Sequence, residues 1–231
     1  MRTEKRKRFF ILIIAVICLT ILSVTCCACN DGEVDGKADT EVYTEGLDFQ
    51  LNGDGNGYTV SGIGEATDTD IIIPSKYSGL AVTYVNDGAF KDDEKITSVT
   101  INGDTVLKER AFAGCLKLKT VTIKGGEIGD SAFFNCSSLE NAVLDDNVTE
   151  IKEDAFYGCT KLKEVHLGSG LQSIADMAFN RCVKIAKVYY NGTEEDRANI
   201  KGEEMFNSYL FNAEWVYLIK SSDAQSESEN V

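Results

Sequence analysis

From about residue 85 onward, the apolar positions of this chain return in a fixed order. Phe stands at 90, 112, 133, 156 and 179, each time behind Ala, at 89, 111, 132, 155 and 178. The steps between them are 22, 21, 23 and 23 residues. Three residues after Phe come Asp93, Cys115, Cys136, Cys159 and Cys182. Six after come Ile96, Leu118, Leu139, Leu162 and Ile185. Nine after come Val99, Val121, Ala142, Val165 and Val188, and eleven after come Ile101, Ile123, Leu144, Leu167 and Tyr190. Five before Phe stand Val85, Leu107, Ile128, Ile151 and Ile174. The end of each copy, as in LKTVTI and LKEVHL, alternates like a strand with one face buried.

One copy cannot bury its own apolar face, whereas stacked copies bury one another's. The pattern predicts a solenoid of five coils over 86–190. A parallel ladder, its strands about 4.8 Å apart, forms one side, and short helical turns carrying Ala-Phe form the other. Phe fills the wide part of each coil, and Ala is small where the turn approaches its neighbour. Asp154 is expected as a helix N-cap and Gly158 where the turn ends. Such a stack needs caps over its end layers and strand edges. LDFQLN (47–52) and YTVSG (58–62) alternate around a Gly-rich turn and predict a hairpin. IIIP (71–74) and LAVTYV (80–85) complete an N-terminal cap over 47–85. TEEDRANI (193–200) opens with a Thr-x-x-Asp capping pattern. SYLFNAEWVYL (208–218) brings Tyr209, Phe211, Trp215 and Tyr217 over the last coil, in a C-terminal cap over 191–219.

The motif I-x-x-x-AF-x-x-C-x-x-L-x-x-V-x-L resembles the repeat of the BspA-like leucine-rich repeat proteins of bacterial surfaces. The stretches at 58–85 and 189–196 are similar to that family's entry and exit segments. The resemblance covers roughly 47–218 and implies an α/β leucine-rich repeat solenoid that contacts host or neighbouring-cell proteins. The sequence departs from the family at Asp93, which replaces Cys in the first copy, and at Arg197, near a common Trp position.

Charge and the chain ends change the picture next. MRTEKRKR (1–8) carries five cations and one anion, or +4, which leaves −18 for the remainder of a chain whose total is −14. So acidic a chain does not neutralise phosphates, and nucleic acid is excluded as a partner. The basic start is followed by the apolar run FFILIIAVICLTILSV (9–24), the pattern of a signal peptide or membrane anchor over 1–29. TCCAC (25–29) resembles the end of a bacterial lipoprotein signal, with Cys29 as the lipidated residue and Cys27 as the rival. Left uncut, 9–29 makes a single span with its cations inside. Either way the remainder lies on the extracellular face of the cell membrane. Residues 30–46 read as an acidic tether, and 220–231 as a disordered tail.

Candidate chemistry is sparse. The four repeat cysteines form a row. In-register Cβ atoms about 4.8 Å apart suit buried thiols better than disulfides, which need nearer 3.8 Å. Spacing for zinc is absent from the repeats. NGDGNG (52–57) imitates the start of a calcium loop, but its twelfth position is Ile63 in place of Glu, so a hairpin turn is expected. No serine-hydrolase elbow, Walker loop or HExxH motif is present. No metal, cofactor or enzymatic activity is expected, and a carboxylate-using enzyme is the remote alternative. The positions ten after Phe are Thr100, Thr122, Val143, His166 and Tyr189. Parallel strands set them in one outward row, the candidate binding face for a partner protein. A passive envelope scaffold with no ligand is the alternative reading.

Overall fold

The computed structural model describes residues 41–202 and 205–219, which lie within a compact unit spanning 39–231. The segment 1–29 with Cys27 and Cys29, residues 30–40 of the tether, and the tail 220–231 fall outside the described residues.

The repeat builds a coil with two parallel ladders. The first joins β3 (Asp70–Ile73), β6 (Ser98–Ile101), the first part of β8 (Thr120–Ile128), the first part of β9 (Asn141–Ile151), β10 (Glu164–Leu167), β12 (Lys187–Tyr190) and β13 (Glu214–Tyr217). Five rungs come from the predicted copies, and β3 and β13 add one at each end. The second ladder joins β2 (Gly57–Gly62), β5 (Leu80–Val85, with β4, Lys76–Tyr77, antiparallel beside it), β7 (Val106–Leu107), the far ends of β8 and β9, and β11 (Ser173–Ile174). Its buried rungs are the apolar residues five before Phe. They are too short a run, mostly two residues per coil, to show an alternation in sequence.

The Ala-Phe side differs from expectation. Among the described residues the repeats contain no helix there; each coil turns through i+3→i bonds such as Ala113 N–H to Arg110 O at 3.0 Å. Two residues per coil are left-handed, at positions two before and two after Phe. The first set includes Arg110, Ser131, Asp154 and Met177, with φ of 54°, 55°, 54° and 55°. The second includes Asn135 at 56° and Gly158 at 75°. Asp154 is therefore no N-cap. Its left-handed backbone turns the chain, and its Oδ1 is buried without a hydrogen-bond partner. Burial, with the Asp130 charge second, pushes its carboxyl above the usual range. Gly158 does serve the turn: a Cβ there would collide with the Asn135 carboxamide.

These turns stack because their backbones pair. The N–H of Phe90, Phe112, Phe133 and Phe156 bonds to the carbonyl of the Ala before the next Phe, at 2.7–2.8 Å. The rings follow, all buried: neighbouring centroids are 4.7, 5.4, 5.1 and 5.0 Å apart and the planes lie within 12° of parallel. Cys115, Cys136, Cys159 and Cys182 are free and fully buried. Each thiol donates to the carbonyl of the Phe one coil back, at 3.1, 3.2, 3.3 and 3.1 Å. Burial and thiol–thiol contact hold Cys159 well above the ordinary thiol range; Cys136 is raised too, chiefly by its contact with Cys115. Thiols kept protonated are the donors this role needs. Asp93 departs from Cys where no earlier Phe carbonyl waits. Its carboxylate instead accepts the N–H groups of Lys95 and Ile96 at 2.7 and 2.9 Å.

Both ends are capped by groups that imitate a further coil. β1 (Asp48–Leu51) and β2 form the predicted hairpin around Asn52–Asn56, closed by the Asn52 N–H to Gly57 O bond at 2.8 Å. The end of the predicted tether is docked on the first coil. Thr44 is buried, its N–H bonds to Ile72 O at 3.0 Å, and its hydroxyl accepts Ile72 N–H at 2.8 Å. At the other end Asn207 is buried in the place of the missing sixth turn. Its Oδ1 accepts Phe179 N–H and its Nδ2 donates to Ala175 O, both at 3.0 Å. α1 (Glu194–Arg197) begins with the predicted capping box between Thr193 and Asp196. α2 (Ser208–Phe211) leads into β13, where Trp215 lies under the Arg197 guanidinium, 4.1 Å from ring centre to Cζ. The residue that departs from Trp thus stacks on a Trp supplied by the last strand.

Candidate functional site

The register of the first ladder places all five predicted residues in one row. Thr100 pairs with Thr122, Thr122 with Val143, Val143 with His166, and His166 with Tyr189. Each is half-buried by its neighbours and presents the rest of its side chain to solvent, while the residues on either side in the strand are turned into the core. The structure lengthens the row by Ile72 and Val216, which pair with Thr100 and Tyr189. Sequence reasoning missed both, because neither belongs to a copy with Ala-Phe; their place between two inward-facing residues of an apolar strand was the available signal.

The row changes character along its length. Ile72, Thr100, Thr122 and Val143 are β-branched and stiff at χ1. His166 and Tyr189 are stacked, with centroids 4.5 Å apart and planes 17° from parallel. A rigid ladder holds them, so little side-chain entropy remains to be lost when a partner covers them. Two residues earlier in each strand runs a polar row, from Asp70 and Ser98 to Glu164 and Lys187. At its first end Asp70 accepts the hydroxyls of Ser98 and Thr97 at 2.7 and 2.8 Å, which holds its carboxyl below the usual range. At its flank Lys163 pairs with Glu140 at 2.8 Å, and that pairing lowers the Glu140 carboxyl. The arrangement is a narrow apolar and aromatic line with a polar border, the anatomy of a protein-binding surface. Among the described residues no group of three His, Cys, Asp or Glu side chains is arranged to hold a metal ion. Nor is any helix among them long and apolar enough to cross a membrane.

A coil of this period with a parallel ladder, stacked Phe and buried Cys defines a leucine-rich repeat solenoid. The family model for the BspA type leucine rich repeat region matches residues 69–127 and 83–211, in six copies. The chain belongs to that family. Its fold is similar to the leucine-rich repeat protein of T. pallidum, at 23% identity and a TM-score of 0.56, over 70% of this chain and 80% of that one. It is also similar to a leucine rich cell surface protein of Faecalibacterium prausnitzii, at 28% identity and a TM-score of 0.53. That match covers 68% of this chain and 46% of the other, so this chain corresponds to less than half of that protein. A search of curated proteins gives no match.

Proposed function

We propose that this chain is a membrane-anchored cell-surface protein that binds another protein through the exposed row of its first ladder, without chemistry of its own. The observation that carries the reading is the His166–Tyr189 stack beside Val143, an aromatic and apolar end on an otherwise β-branched row. Tyr189 is the main anchor, because its ring is large, amphipathic and already positioned. The cell-surface description of the Faecalibacterium relative agrees with this location. The anchor itself is read from the basic start, the apolar run and Cys29.

The test of binding starts with residues 31–231 used as bait on extracellular and cell-surface extracts, followed by the double substitution Tyr189→Ser with His166→Ser. The melting temperature should barely move, and affinity for the captured protein should fall by about tenfold or more, roughly 1.4 kcal/mol. A folded double variant that binds unchanged would sink the site. Failure to capture anything would favour the passive scaffold. The anchor is tested by labelling with a palmitate analogue. The label should be lost in Cys29→Ser; loss only in Cys27→Ser moves the cut upstream, and no label at all leaves an uncleaved span.

A further inference from the structure

The second and fourth coils both carry lysine four residues before Phe, and they treat it differently. Lys108 N–H bonds to Val85 O at 3.0 Å and Lys152 N–H to Ile128 O at 2.9 Å, so the two hold the same register on the second ladder. Lys152 reaches back to Glu127, six residues before the Phe of the preceding coil, at 2.8 Å. The residue in that place behind Lys108 is Tyr84. Lys108 Nζ lies 5.0 Å from the centre of the Tyr84 ring and donates to Asn86 Oδ1 at 3.4 Å. Among the described residues no carboxylate forms an ion pair with it. A ring and an amide orient an ammonium, but they do not neutralise it. The same ladder position thus holds a compensated cation in one coil and an uncompensated one in the other, in a chain of net charge −14.

That ammonium borders a cleft of about 350 Å³, lined also by Gln50, Asn52, Thr59 and Asn86. The volume is that of a small-ligand site. Asn52 is fixed there from both ends: its Oδ1 accepts the Thr59 hydroxyl at 2.7 Å, and its Nδ2 donates to Thr83 at 2.8 Å. Leu51, 56% exposed, and Tyr84, 39% exposed, supply an apolar border. The other clefts with a cation are different: Asp92, Asp93 and Glu94 stand beside Lys117 in one, Asp87 and Glu109 beside Lys91 and Arg110 in another, and the third lies beside Arg197. That guanidinium already donates to Tyr217 Oη and Phe211 O and stacks on Trp215, and Glu194 lines the same cleft.

We propose that the Lys108 cleft binds a carboxylate-bearing sugar, an acidic monosaccharide unit. The ligand carboxylate supplies to Lys108 what Glu127 supplies to Lys152. Gln50, Asn52 and Asn86 offer amide groups to ring hydroxyls, and Leu51 and Tyr84 meet the apolar face of the ring. A lining of amides and hydroxyls around one cation suits a polyhydroxylated ring better than a peptide end, which needs a side-chain pocket. The inference stands on the second ladder and does not rest on the binding role of the first.

The experiment is titration of residues 31–231, which include the compact folded unit, with glucuronate, followed by the amide resonances of Gln50, Asn52 and Asn86. Glucose and an Ala-Ala dipeptide serve as comparisons. Glucuronate should give saturable shifts at these amides, with both comparisons at least about tenfold weaker. Tyr84→Glu rebuilds the ion pair of the fourth coil, so the variant should fold and lose about tenfold or more in affinity. Lys108→Gln should lose as much. The proposal is overturned if glucuronate gives no saturable shift up to its solubility limit, or if glucose or the dipeptide binds as well. It is equally overturned if binding survives in Lys108→Gln.

Discussion

The Phe-Cys side of each coil and the outward row of the first ladder are made by the same repeat, yet they obey opposite rules. On the first, one residue type returns coil after coil: Phe at all five copies, Cys at four. On the second no residue type holds beyond two copies, and the row runs Thr, Thr, Val, His, Tyr. The difference follows from what each position touches. A stacked ring must match the ring above and below, and a thiol must find the Phe carbonyl one coil back, so a change in one copy damages its neighbours. An outward side chain on the ladder packs only against its neighbours in the row and leaves the rest of its surface to solvent. The backbone pairing that holds it in place is indifferent to what it carries. The fold lives in the constant positions, and the variable ones are free to specify a partner.

The largest expected effect breaks the constant side. Phe156→Ala leaves a cavity between two rings and should cost about 3–5 kcal/mol in denaturant unfolding, with Phe133→Ala alike. Losses under about 1 kcal/mol at both would place Phe outside the core. Next comes Cys159→Ala, which takes from the Phe133 carbonyl one of its two donors, the Cys136 N–H remaining at 3.2 Å, and should cost about 0.5–1.5 kcal/mol. Cys159→Ser keeps a donor and should cost less in the same measurement; if Ser were the worse of the two, the thiol would matter only as filler.

Smaller still is Asp154→Asn. The position wants a residue that tolerates a left-handed backbone, and Asn does so without a buried charge. Burial raises the Asp154 carboxyl in the folded state, so the folded chain holds that proton more firmly than the unfolded one. Its ionisation therefore costs stability as pH rises through and above the ordinary carboxylate range. Asp154→Asn should raise the melting temperature slightly at neutral pH, and the gain should fade in acid, where both side chains are neutral. A gain independent of pH would mean the backbone, and not the charge, is responsible. The smallest stability change belongs to the outward row: Tyr189→Ser with His166→Ser should stay within about 0.5 kcal/mol of the parent, while affinity for a captured protein falls by about tenfold or more.

Much of this was legible before any coordinates. The Phe, Cys and aliphatic positions return in register, so one copy explains all, and the alternation in LKEVHL says which residues face out. The hairpin, the capping box at Thr193 and the outward row of Thr100, Thr122, Val143, His166 and Tyr189 follow from local pattern. What was misread was local conformation: Asp154 carries the residue type of an N-cap, yet the neighbouring coil pulls its backbone into a left-handed turn. Contacts between segments distant in the chain were beyond reach for a different reason. That Thr44 and Asn207 stand in for missing coils, that Arg197 lies on Trp215, and that Tyr84 replaces a carboxylate behind Lys108 are matters of which coil comes to rest on which. A repeat written in one dimension states what each coil contains. Only the stacking decides which odd residue sits against which, because that contact spans some two dozen residues of chain and is made by packing and not by sequence neighbours.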